Sequence, residues 1–122
     1  ICYGISFNAY LFLIMQLPQR DYYAVIFISI KSSNDEGYEA LDAATLELAQ
    51  QQKGYLGHIS SFDGKKQIFI SYWESEEAIR VWQNNEIHKA AKAKAQVWYD
   101  AFISQVCKVE HASFHHAAKL SS

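Results

Sequence analysis

An α+β domain built in the order β-α-β-β-α-β is what this sequence predicts, and three observations carry that reading. Residues 21–30 (DYYAVIFISI) form a run of β-branched and aromatic side chains, the composition of a strand buried on both faces. Two further strand-like runs, Tyr55–Phe62 and Lys66–Trp73, are separated by Asp63-Gly64, a strong hairpin signal. The remaining intervals, 36–52 and 75–100, carry apolar residues at helical spacing. With a final strand over 101–111 the order is that of the split βαβ, or ferredoxin-like, fold: one antiparallel sheet with both helices on one side.

Taken in order, strand 21–30 places Tyr23, Val25 and Phe27 on one face and Ala24, Ile26 and Ile28 on the other. Asn34 or Asp35 can cap the helix expected over 36–52, whose inner face reads Tyr38, Leu41, Thr45, Leu48 and Gln52, and Gly54 is placed to end it. In the second strand His58 shares a side with Leu56, Ser60 and Phe62. After Trp73 the hydroxyl of Ser75 can cap a helix whose first turn holds Glu76 and Glu77. The helical region is expected to break near Gln83-Asn84-Asn85, since asparagine favours caps and turns. The last strand, AFISQVCKVEH, keeps Ile103, Cys107 and Val109 on one face, and 112–122 has no clear period.

The chain has 122 residues, 50% of them hydrophobic, and a net charge of −2. That suits one modest core. With no basic run longer than Lys65-Lys66, neither nucleic acid nor an anionic membrane is an expected partner. Cys2 and Cys107 have no metal-like spacing and frame no disulfide set, so a reduced, cytoplasmic setting is the default expectation. Residues 1–14 are uncharged and precede Met15, the only methionine. The run is too short to span a bilayer and lacks a signal peptide's positive start. It is expected to be a non-native or disordered leader, the alternative being an extra element packed on the domain. The domain is then 15–112, followed by a tail over 113–122.

Patterning also bears on assembly. Two helices cover one face of a sheet, yet the first and third strands are apolar on both. The uncovered face would be a large exposed apolar patch, and a second copy packed sheet on sheet is the simplest cover. A homodimer is therefore expected.

YYAVIF in the first strand, GYLG in the second, SYWES at the strand–helix corner, tryptophan and histidine at Trp82 and His88, and the WY and VCKVE segments at the end together resemble the antibiotic biosynthesis monooxygenase (ABM) domain. The likeness covers about 22–111. It implies a dimeric α/β barrel. It implies further a cofactor-independent monooxygenase that oxidises a small phenol- or hydroquinone-like aromatic with O2 alone. A phenolate or carbanion can give an electron to oxygen directly, so such chemistry asks for a dry aromatic pocket, a proton acceptor and donors that hold the anion. The sequence shows no G-x-G-x-x-G, P-loop or HExxH motif, and no cofactor is expected. Trp73 resembles the corner tryptophan that lines the pocket in oxygenating members, and Phe69 stands where those members carry an asparagine. Haem-degrading members resemble this chain at Trp82, but Lys92 stands where their axial histidine would be, and a lysine ammonium is a poor iron ligand.

Among the residues themselves, His88 is the candidate proton acceptor, because imidazole titrates near neutral pH; the alternative is a helix-surface histidine. His58 can point into the pocket or out to water. Tyr23 and Tyr99 can each offer a hydroxyl to an oxygenated ligand, or be core residues with a wet tip. The substrate-binding set is thus Trp73, Phe69, Tyr23, His58, Trp82 and Tyr99, with no metal site: His111, His115 and His116 lie in a segment with no element to preorganise them. Lys92 and Lys94, among alanines, read as a solvated helix face, and Arg80 as a partner of Glu76 or Glu77. A non-catalytic dimeric module that binds a small aromatic is the second reading.

Overall fold

The computed structural model describes residues 7–115. Its elements are α1 (Phe7–Gln16), β1 (Tyr22–Lys31), α2 (Tyr38–Ala49), β2 (Tyr55–Phe62), β3 (Lys66–Trp73), α3 (Glu76–Gln83), α4 (Glu86–Trp98) and β4 (Tyr99–Val109). The four strands form one sheet in the order β2-β3-β1-β4, with every neighbouring pair antiparallel. This is the ferredoxin-like arrangement expected from the sequence, with one helix added in front.

Local chemistry explains most boundaries. The Ser75 hydroxyl accepts the backbone N–H of Ala78 at 3.1 Å and caps α3. Asn85 caps α4, its side-chain oxygen accepting from Ile87 and His88, so the break expected at 83–85 separates two helices. Arg80 pairs with both Glu76 and Glu77. Three boundaries differ from expectation. The N-cap of α2 is Gly37, without a side-chain cap; Asp35 is instead drawn to the Lys31 ammonium. Helix α2 stops at Ala49, and Gly54 serves the next turn: at φ +88° it passes so close to α3 that a Cβ there would sit 2.8 Å from the Cβ of Ala78. Tyr99, expected in the helix, opens β4 and pairs with Lys31.

Cross-strand partners share a face, so the register sorts the sheet. Tyr23, Val25, Phe27 and Ser29 align with Trp73, Ser71, Phe69 and Gln67 under the helices. A bulge between Tyr55 and Gly57 makes Leu56 the extra residue. Tyr55, rather than Leu56, therefore joins His58 on the helix-covered face. The core packs there, around Ala49, Trp73, Ile79 and Trp82.

The opposite face is half covered. Helix α1 lies over its β2 side: Leu13 is buried against Gly57, whose φ is +145° and where an added Cβ would meet the Leu13 side chain at 2.3 Å. Thus α1 runs across the boundary placed at Met15. Residues 1–6 of the expected leader, Cys2 among them, and 116–122 of the tail lie outside the described residues. The rest of this face is open, with Ile28, Ile30, Ile68 and Ile103 between 37% and 49% exposed. No helix among the described residues is long and apolar enough to cross a membrane.

Candidate active site

Between the sheet and the paired helices α2 and α4 lies a cavity of about 440 Å³, the size of a small-ligand site. Its floor is Val25, Phe27, Phe69, Ser71, Trp73 and Ser104 of the sheet; its roof is Thr45, Leu46 and Ala49 of α2 with Ala91 and Ala95 of α4. Alanines in the roof leave the space that larger side chains would fill.

One end is a stack of rings. Trp73, 1% exposed, donates its indole N–H to the Ser71 hydroxyl at 2.9 Å. Its ring lies 6.3 Å from that of Trp82 at an interplanar angle of 24°, and Tyr55 meets it edge-on at 5.3 Å. His88 continues the stack on Trp82. The His88 Nδ1 lies 3.2 Å from the Trp82 carbonyl oxygen. A carbonyl only accepts, so Nδ1 carries the proton and Nε2 keeps the lone pair. Burial pushes the His88 pKa below the usual histidine value; the hydrogen bond to the Trp82 carbonyl opposes this and the nearby Lys92 ammonium adds to it. The imidazole is thus neutral near pH 7, the form that accepts a proton.

The other end is made by Trp98, Tyr99 and Phe102, with Tyr38 packed behind them. Tyr38 packs edge-on against Trp98 at 5.3 Å and Tyr99 at 5.9 Å, and the Tyr99 hydroxyl donates to that of Tyr38 at 3.4 Å. Asp42, one turn beyond Tyr38 on α2, and Gln67 also line the cavity.

The profile of the antibiotic biosynthesis monooxygenase family matches residues 21–94, which hold β1 to α3, the greater part of α4 and most of this cavity. The chain belongs to that family. An uncharacterized Bacillus subtilis protein, YqjZ, is 43% identical over 96 residues, 76% of this chain and 83% of that one. Solved structures share the fold at low identity. SnoaB, a cofactor-independent oxygenase from Streptomyces nogalater, superposes with a TM-score of 0.63 at 12% identity, covering 75% of this chain and 96% of its own. Rv0793 of Mycobacterium tuberculosis gives 0.62 at 16%, covering 80% and 99%. The protein is thus an ABM-domain chain whose site chemistry must be read from its own residues.

Of the residues singled out from the sequence, Trp73, Phe69, Trp82, Tyr99 and His88 all line this one cavity. Tyr23 does not; it packs against the core beside Trp73. His58 does not either. It is half-buried, hydrogen-bonded through Nδ1 to the Tyr55 hydroxyl, and stacked 5.3 Å from the Phe69 ring, so it backs two wall residues. Lys92 is exposed, as expected of a solvated helix face, and also borders the cavity one turn beyond His88. Asp42 and Gln67 were not legible as site residues, although Tyr38, Asp42, Thr45 and Ala49 follow a helical i, i+4, i+7, i+11 stripe that marks them as one face. Among the described residues no three His, Cys, Asp or Glu side chains gather into a metal-binding group.

Proposed function

We propose that this ABM protein is a cofactor-independent monooxygenase that converts a small phenol- or hydroquinone-like aromatic to its quinone, acting as a homodimer. The observation that carries the reading is His88: a neutral imidazole with its Nε2 lone pair free, in the wall of a cavity otherwise floored by aromatic rings.

The reaction needs little from the protein beyond placement and one proton transfer. His88 Nε2 takes the phenol proton. The phenolate gives one electron to O2, and the resulting superoxide joins the ring carbon para to the oxygen. The peroxide anion takes the proton held on His88; the hydroperoxide then gives up the ring hydrogen as a proton to His88 and its outer oxygen as hydroxide, and that second proton turns the hydroxide into water. One phenol and one O2 thus give one quinone and one water. The aromatic walls exclude solvent, which protects the radical pair. The family match and the fold shared with SnoaB support the oxygenase class.

Homodimerisation is supported by the row Ile68, Ile28 and Ile103, which register brings side by side on the open face of the sheet. Oxygen uptake with a panel of phenols, hydroquinones and anthrones tests the function. A member consumed with one O2 per quinone is the expected result. A panel that binds in the cavity without oxygen uptake would make the protein a binding module of the same fold.

A further inference from the structure

Lys92 is the single lysine or arginine among the residues lining the cavity. Among the described residues no carboxylate lies within ion-pairing distance of its ammonium, whereas Lys31, Lys66, Lys89 and Lys108 each have an acidic partner. It sits on α4 one turn beyond His88, and its charge is felt at that imidazole. We propose that the cavity takes an aromatic ligand that bears an anionic group, such as a carboxylate, and that Lys92 anchors that group. The inference rests on the cavity being the ligand site of the proposed function.

Lys92 is exposed at the rim of the cavity, so its charge is partly screened and its pull on an anion modest. A ligand whose rings are already held by the aromatic walls nevertheless brings its anionic group to the ammonium without a further loss of freedom. The position of Lys92 also orients such a ligand: its anionic group lies at the part of α4 that carries Lys92 and the neutral His88. The rings of the ligand then lie along the floor formed by Phe69 and Trp73.

A matched pair of probes isolates the charge: 1-naphthoate and its neutral isostere 1-naphthamide. Titration by heteronuclear NMR, read at the indole N–H signals of Trp73 and Trp82, counts only binding in the cavity and not on the open sheet face. The wild type is expected to bind the naphthoate more tightly than the amide. Lys92→Gln should weaken the naphthoate about fivefold and leave the amide within about twofold, while Lys94→Gln on the same helix should change neither. Equal affinity for the two probes in the wild type would overturn the proposal, as would equal weakening of both in Lys92→Gln or failure of the naphthoate to move the indole signals. Neither probe is an oxidisable phenol, so the outcome is independent of whether the protein turns over O2.

Discussion

The imidazole of His88 lies flat on the indole of Trp82, with ring centres 4.6 Å apart and planes 9° from parallel. The same tryptophan's backbone carbonyl fixes the proton on Nδ1. One residue thus sets both the position and the tautomer of the proposed base. Truncation by His88→Ala should lower the rate of oxygen uptake by about a hundredfold or more, the usual worth of a placed base. His88→Gln keeps the bulk and should not restore it. An unchanged rate in His88→Ala would remove this residue from the mechanism.

Burial pushes the pKa of both His88 and His58 below the ordinary histidine value. Folding therefore favours their neutral forms. The stabilisation is complete above the ordinary histidine range and is lost as pH falls through it towards the lowered folded values, because the unfolded chain takes up the protons first. The urea midpoint should drop between about pH 7.5 and about pH 5.5, and the double variant His58→Gln/His88→Gln should flatten that slope. A midpoint equally steep in the double variant would place the dependence elsewhere.

Ser71 and Trp73 form a buried donor–acceptor pair within β3. The indole N–H is spent on the Ser71 hydroxyl, so Trp73 offers a ligand its ring face rather than a hydrogen bond. Ser71→Ala strands that N–H in a buried place and should cost about 1–3 kcal/mol of stability, measured by urea unfolding. Ser71→Thr keeps the acceptor and should recover part of the loss.

Helix α1 is held by a knob in a socket, Leu13 against Gly57. Gly57→Ala both strains a backbone at φ +145° and drives a methyl into Leu13. Leu13→Ala empties the socket without backbone strain, at about 2–5 kcal/mol for a buried leucine and less where the site collapses. Hydrogen exchange should rise in α1 in both variants and stay low in β1 and β3. Exchange rising throughout the sheet would show instead that α1 is part of the core.

Order of elements, the Ser75 cap and the break at 83–85 were legible because they rest on local chemistry: a hydroxyl before a helical run, asparagines that favour caps and turns, the Asp63-Gly64 turn. The cavity was legible in part. Trp73, Phe69 and Trp82 follow from the resemblance to the family, with Trp73 also marked by its place at the strand–helix corner, and His88 from residue type. Ser60 and Phe62 share a face with His58 as read, but Leu56 does not, because the bulge beside Gly57 shifts the register and puts Tyr55 there instead. Lys92 and Asp42 were hidden because helical periodicity shows which residues share a face and not which face meets an empty space. Only the docking of α2 beside α4 brings the stripe that starts at Tyr38 over the same floor as His88.

The open half of the sheet makes the last prediction. Ile28 stands between Ile68 and Ile103 in one cross-strand row, and all three are more than 40% exposed. Helix α1 already occupies the β2 side of this face through Leu13 and Gly57, so a second copy has only the remaining side to cover. There the row is apolar throughout, and burying it would stabilise a pair by about 25 cal/mol for each Å² of apolar surface removed from water. A lysine at the centre of such an interface would be buried without a partner, which weakens association by about 2–5 kcal/mol. The wild type should therefore run as a dimer in light scattering at micromolar concentration, and Ile28→Lys as a monomer with an unchanged far-ultraviolet circular dichroism spectrum. The side chain is already partly solvated in a single subunit, so its replacement leaves the core around Trp73 intact. A dimer that survives the substitution would move the contact to another surface, and a monomeric wild type would leave the isoleucine row without the role proposed for it.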